Sequence, residues 1–219
     1  MLTQILDGND NEDLKKAGKI INNGGLVALP TETVYGLAAD ALNEEAVKGI
    51  FAAKGRPADN PIIVHIANIN DIYDLAAEVP EEAVRLAEKF WPGPLTIILK
   101  KAVKIPSITS GGLETVAIRF PDSNIACKII NYAGVPLAAP SANISGKPSP
   151  TSFSHVYEDF NGRIEAIVQG PECTIGVEST VLSLCERIPV LLRPGKITID
   201  EIRDVVGEAD VHYSVIDKL

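Results

Sequence analysis

Apolar runs short enough to be strands recur along this chain, and in its second half several follow one another with no helical stretch between them. Leu95–Lys100, Thr115–Phe120, Leu137–Ala139, Ile164–Val168, Ser179–Leu184 and Val190–Leu192 all read as strands. Helical spacing interrupts them only at about residues 123–133, 152–159 and 198–206. Consecutive strands without a crossover imply antiparallel pairs, whereas a helix between two strands allows a parallel one. The pattern predicts an α+β, mixed α/β fold: a single domain with one twisted sheet of parallel and antiparallel strands, flanked by helices. A pure doubly wound sheet does not fit.

The first half agrees. Residues 10–23 predict a helix with Leu14, Ala17, Ile20 and Ile21 on one face and Gly24 in the stop position. Leu26–Leu29 is a strand running into the loop Pro30–Gly36. Asn43 then caps a helix carrying Ala46, Val47, Ile50 and Phe51, which ends at Gly55. Ile62–Ile66 reads as a strand. Helical stretches follow at about 69–77 and 80–90, the second opened by Pro80. Beyond Gly195 there is room for one helix and a tail, so the expected division is a domain over 1–206 and a tail over 207–219.

Hydrophobic residues form 46% and charged residues 22% of the 219 positions, as expected of a soluble globular chain. No run approaches the ~20 apolar residues that span a bilayer, so no membrane association is expected. The first residues, MLTQILDGND, lack the cationic start and apolar stretch of a signal peptide. Cys127, Cys173 and Cys185 show no CxxC spacing, which predicts free thiols in a reducing, cytoplasmic setting. His65, His155 and His212 are too scattered for a metal-ligand motif. A net charge of −9 argues against general nucleic-acid binding and leaves RNA only a local basic patch.

Four polar stretches border apolar strands, where open sheets place their ligand loops. They are PTETVYG (30–36), KGRPADNP (54–61), APSANISGKPSP (139–150), and GVEST (176–180) together with LLRPG (191–195). Neither glycine-rich phosphate motif, G-x-x-x-x-G-K-[ST] or G-x-G-x-x-G, is present. A nucleotide would therefore be held by Lys54, Arg56 and Arg193, helped by hydroxyls and backbone amides, on loops stiffened by proline. Each residue alone also has a plainer reading. Lys54 and Arg56 suit a solvated helix exit. Ser141 and Asn143 suit a turn, and Thr31 and Thr33 suit turn amides. Ser179 suits an ordinary strand, His65 a core position, and Arg119 a structural salt bridge. Residue by residue, both readings stay open.

Together, in this order and at these separations, PTETVYGL, KGRP..NP, SAN and GVEST…LRPG resemble the YrdC-like threonylcarbamoyl-AMP synthases. The resemblance covers residues of about 10 to 206. Lys54/Arg56 and Ser141/Asn143 match that family's K-x-R and S-x-N pairs, its catalytic motifs. It implies that L-threonine and bicarbonate form a carbamate whose carboxylate attacks the α-phosphate of ATP, giving threonylcarbamoyl-AMP and pyrophosphate. A separate tRNA-modifying transferase then takes the adenylate. The site implied is a deep cavity on one face of the sheet. L-Threonine goes against Thr33, His65, Arg119, the backbone at Ala139, and Ser179. ATP goes to Arg56, Asn60, Thr115, Ser141, Ser149 and Arg193. Mg2+ arrives with ATP, no protein side chain is expected to ligate a metal, and no tightly bound organic cofactor is implied. Direct tRNA binding is expected to be weak at most.

Longer members of the family carry a linker and a second α/β domain, so this chain resembles the short form or a long form cut within the linker. Two relatives compete. One is a YciO-like RNA-binding module without synthase activity. The other is a carbamoyl-transfer domain like that of hydrogenase-maturation proteins, which sits in larger chains with zinc-finger segments. The complete K-x-R and S-x-N pairs favour the synthase.

Overall fold

Helix starts are set by side chains that satisfy otherwise unpaired backbone donors. The structure, a computed structural model describing residues 2–218, begins with strand β1 (Gln4–Asp7) and helix α1 (Asn11–Asn22), whose cap Asp10 accepts from the Glu12 amide. Strands β2 (Val27–Pro30) and β3 (Tyr35–Asp40) form a hairpin. Asn43 accepts the amides of Glu45 and Ala46 to open α2 (Glu44–Lys54), and Gly55 ends it at φ 63°, a left-handed conformation that glycine adopts without strain. Then come β4 (Val64–His65), α3 (Ile72–Leu75), α4 (Glu81–Phe90), β5 (Leu95–Lys100) and β6 (Thr115–Arg119). The chain continues with α5 (Asn124–Ala133), β7 (Leu137–Ala138), α6 (Phe153–Phe160), β8 (Ala166–Gln169), β9 (Thr180–Ser183) and β10 (Val190–Arg193). It closes with α7 (Ile199–Val206), β11 (Asp210–Val211) and a 3-10 helix over Tyr213–Lys218.

The strands join in the order β1-β8-β2-β3-β7-β4-β6-β5-β9-β10-β11. Parallel pairs (β1 with β8, β4 with β6, β5 with β9) occur beside antiparallel ones (β2 with β3, β5 with β6, β9 with β10). The expected mixed sheet is therefore present. Three strands were not anticipated. β3 is buried along almost its whole length and so lacks the alternation that marks a half-exposed strand. β1 buries only Leu6, and β11 lies within the segment read as a tail. Conversely, Ile62–Ile66 contributes only Val64 and His65 to the ladder, because the Ile62 amide turns to the carbonyl of Thr109. Met1 of the expected domain and Leu219 of the expected tail lie outside the described residues.

Alternation assigns the two faces. Leu37, Val64, Leu95, Ile97, Ile118, Leu182 and Leu191 point into the larger core with α2, α4, α6 and α7. On the other face α1 and α5 cover only part of the sheet, burying Val27, Leu29, Leu137, Ala166 and Val168. The two helices touch closely at Gly18, where a Cβ would stand 2.6 Å from Cβ of Tyr132. Beyond their cover, that face carries His65, Arg119, Ser179 and Arg193 among Ile98, Ala117 and Val181. This uncovered half of the sheet is the floor of a cavity of about 410 Å³.

Candidate active site

The tight loop 31–34 between β2 and β3 is held by its own hydroxyls. Thr31 Oγ1 donates to the Val34 carbonyl at 2.6 Å and lies 2.9 Å from Thr33 Oγ1. Thr33 Oγ1 accepts from Nη1 of Arg119 at 3.0 Å, and Arg119 Nε donates to the Gly93 carbonyl at 3.3 Å. Arg119 sits at the end of β6, almost wholly buried, which requires an anion nearby. Glu32 supplies it. Its Oε1 is 2.6 Å from Arg119 Nη2, an ion-pair distance, but the N–H is not aimed at the oxygen. Both carboxylate oxygens and Nη2 are thus left without hydrogen-bond partners.

His65 pairs in register with Arg119 on the neighbouring strand. Its Nδ1 lies 3.3 Å from the Ile63 carbonyl, which only an N–H can satisfy. Burial, reinforced by the positive charge of Arg119, pushes the imidazole down to about 3, so it is neutral near pH 7.

On the opposite wall, the K-x-R and S-x-N pairs do different work from one another. Lys54 is buried and does not line the cavity. Its ammonium donates to the carbonyls of Ser141 and of Asn143, the latter at 2.6 Å. Burial first, and the charge of Arg56 second, lower this lysine to about 8. Asn143 closes the same loop from inside, its Nδ2 donating to the Ile144 and Lys147 carbonyls at 3.0 and 2.8 Å. Arg56 and Ser141 instead face the cavity. Arg56 touches only the Pro61 carbonyl, at 3.4 Å, and its Nε has no partner.

The third wall comes from the approach to β9 and the end of β10. Arg193 pairs with Glu178, and donates from Nε to the Ser179 carbonyl at 2.9 Å and from Nη2 to Ser179 Oγ at 3.0 Å. Ser149 Oγ donates to the same glutamate at 2.9 Å.

Nine predicted residues line the cavity together: Thr33, Arg56, Asn60, His65, Arg119, Ala139, Ser141, Ser179 and Arg193. Four do not. Lys54 and Asn143 lie behind the wall, and Ser149 reaches it through Glu178. Thr115 shares the face of Ala117 and Arg119 but sits farther along β6, opposite Lys100. Glu32, Glu178 and Thr96 were not picked out as site residues. The glutamates are visible in PTETVYG and GVEST, but their roles depend on arginines from β6 and β10. Among the described residues, the buried side-chain polar atoms without a hydrogen-bond partner belong to Glu32, Arg56, Arg119, Asn143 and Arg85; Arg56 and Arg119 line the cavity, and Glu32 stands against Arg119. Native interiors rarely leave such atoms unpaired, and the unpaired Nε of Arg56 at the cavity is open to a polar ligand. No group of three or more metal-ligating side chains gathers among the described residues.

Residues 19–195 match the family model Sua5_yciO_yrdC, described as "Telomere recombination". The chain belongs to this family. It is 58% identical over 205 residues to the threonylcarbamoyl-AMP synthase of Pyrococcus abyssi, covering 94% of this chain and 60% of that protein. With the Bacillus subtilis threonylcarbamoyl-AMP synthase it shares 52% identity over 219 residues, covering 99% and 63% respectively. The crystal structure of P. abyssi Sua5 complexed with L-threonine superimposes with a TM-score of 0.94 at 54% identity, over 98% of this chain and 64% of that one. The chain thus spans about three fifths of the length of these Sua5 relatives. No helix among its described residues is long and apolar enough to cross a membrane.

Proposed function

We propose that this chain makes threonylcarbamoyl-AMP from L-threonine, bicarbonate and ATP. The observation that carries the reading is one cavity lined by two kinds of group. The first is a buried, preorganised guanidinium, Arg119, beside the hydroxyl of Thr33 and the neutral His65. The second is Arg56 with Ser141 and Asn60, and Arg193, bonded to Ser179, adjoins both. The first suits a small amino acid: Arg119 takes the α-carboxylate, and hydroxyls read the side chain. The second suits phosphates, on which forked cations can spread their hydrogen bonds. The relatives named as threonylcarbamoyl-AMP synthases and the threonine-bound Sua5 support the assignment.

In the reaction, the threonine amine and bicarbonate join to a carbamate with loss of water. A carbamate oxygen then bonds to the α-phosphorus as the bond to the pyrophosphate oxygen breaks. ATP enters with its magnesium ion as the substrate complex. The chain's own share is alignment and charge. Arg119 anchors the threonine, and Arg56 and Arg193 stabilise negative charge that builds on the transferring phosphoryl group and the leaving pyrophosphate. Lys54 and Asn143 act one step back by shaping the loop that presents Ser141. The product passes to a separate tRNA-modifying transferase, and direct tRNA binding is weak. The free thiols of Cys127, Cys173 and Cys185 accord with the cytoplasm.

The test is incubation with ATP, magnesium, bicarbonate and labelled threonine, followed by detection of pyrophosphate and the labelled adenylate. ATP turnover that is the same with and without threonine would refute the proposal.

A further inference from the structure

Ser179 presents its hydroxyl to the cavity with two neighbours already on the oxygen. Thr96 Oγ1 lies 2.7 Å away, and Arg193 Nη2 donates at 3.0 Å. Thr96, on β5, is fully buried and forms no part of the cavity wall. Among the described residues, Ser179 is the one partner of the Thr96 hydroxyl. A hydroxyl has one hydrogen and two lone pairs. Were Ser179 the donor, the Thr96 hydrogen would be left without an acceptor in a dry site, the costlier arrangement. Thr96 therefore donates. With Arg193 it fills both lone pairs of Ser179, which keeps only its hydrogen for a ligand.

Thr33 is not fixed in the same way. Thr31 donates to the Val34 carbonyl and already accepts the amides of Thr33 and Val34, so the Thr33 hydroxyl, which accepts from Arg119, is not committed to a single role toward a ligand.

We propose that Thr96 is a specificity-determining positioning residue: it fixes Ser179 as a hydrogen-bond donor toward the cavity. This rests on reading the cavity as an L-threonine site. A fitting ligand has a carboxylate for Arg119 and an oxygen lone pair for Ser179. L-Threonine meets these demands with its carboxylate and side-chain oxygen. L-Valine has the same outline but no lone pair at the last point, so it leaves the Ser179 hydrogen unpaired and is rejected.

The experiment is calorimetric titration of L-threonine and of ATP into the wild type, Thr96→Val and Thr96→Ser, with thermal melts alongside. Thr96→Val is near-isosteric and is expected to weaken threonine binding about fivefold, equivalent to about 1 kcal/mol, while ATP affinity stays within about twofold. Thr96→Ser retains the donor and is expected to restore wild-type affinity. In a Ser179→Ala background, Thr96→Val should add no further loss, because the effect runs through Ser179. Should Thr96→Val fail to fold, Thr96→Ala against Thr96→Ser carries the same comparison. Unchanged threonine affinity in Thr96→Val, no rescue by Thr96→Ser, or a full additional loss without the Ser179 hydroxyl would each overturn the role of Thr96. A wild type that binds no threonine gives a different outcome, since it overturns the threonine site itself and the specificity role with it.

Discussion

The His65 imidazole makes a measurable link between the site and acid stability. Its proton affinity is ordinary in the unfolded chain, near 6.5, and burial drives it to about 3 in the fold. Between these values the unfolded chain binds the proton more readily. Stability is therefore complete above pH 6.5, falls as pH drops below it, and stops falling below about pH 3. At pH 5 the unfolded state gains by a factor of about 30, so this one group costs about 2 kcal/mol relative to pH 7. That is a large share of the 5–15 kcal/mol typical of a domain. The assay is urea unfolding at pH 7 and pH 5, followed by the fluorescence of Trp91, the single tryptophan, which is buried. His65→Asn supplies the comparison. Its constant cost, whatever its size, cancels between the two pH values, as do the carboxylates both proteins share. The wild type is expected to lose about 2 kcal/mol more than the variant. Equal losses in the two proteins, or an NMR titration of the His65 ring with a midpoint near 6.5, would show that the ring is not sealed as described.

Other consequences are as direct. Arg56→Ala should weaken ATP binding by about 10- to 100-fold and leave threonine binding nearly intact, whereas a folded Arg119→Ala should do the reverse, each read by calorimetry. Parallel loss of both ligands in both variants would contradict the assignment of Arg119 to threonine and Arg56 to ATP. Lys54 is held to about 8 when folded against 10.5 in the open chain, chiefly by burial. The fold thus binds its proton less readily between these values, and stability should rise with pH across that window relative to Lys54→Met. Denaturation at pH 7.5 and pH 10 checks this, and identical slopes would discount the buried ammonium. L-Serine should react about fivefold less efficiently than L-threonine, because one lost methyl in a fitted pocket costs about 1 kcal/mol. Equal kcat/KM values would argue against such a pocket.

Much of the fold could be read from local signals because those signals are physically local. Asn43 and Gly55 bound α2 through contacts within a few residues, and the run Leu95–Lys100 is the strand it was expected to be. β1 and β3 were hidden for opposite reasons. β1 is a strand only because β8, far along the chain, pairs with it, while β3 is enclosed on both faces and shows no alternation. In the candidate site, the motifs converge on one cavity, but the orientation of each side chain could not be read from them. Lys54 and Arg56 stand two residues apart, yet one faces inward to the Ser141 and Asn143 carbonyls and the other faces the cavity. Nothing in KGRP distinguishes them, because the distinction is made by the loop at 141–147. Thr96 was legible only as a strand residue, since its meaning lies in Ser179, 83 positions away.

The order of strands in the sheet bears on how the protein is made on the ribosome. β1 and β2 emerge early, but both lie against β8, and Thr3 Oγ1 bonds the Ile164 carbonyl across 161 residues. Until that stretch has been synthesised, β1 has no neighbour, and β2 has only the hairpin partner β3. The nascent chain therefore carries an open, apolar strand edge until β8 has emerged, a template for pairing with other chains. Arg193 arrives later still, so a stalled or truncated chain cannot assemble the cavity. Ligand binding would then serve cells and experimenters alike as a sign that translation has passed β10 and the sheet has closed.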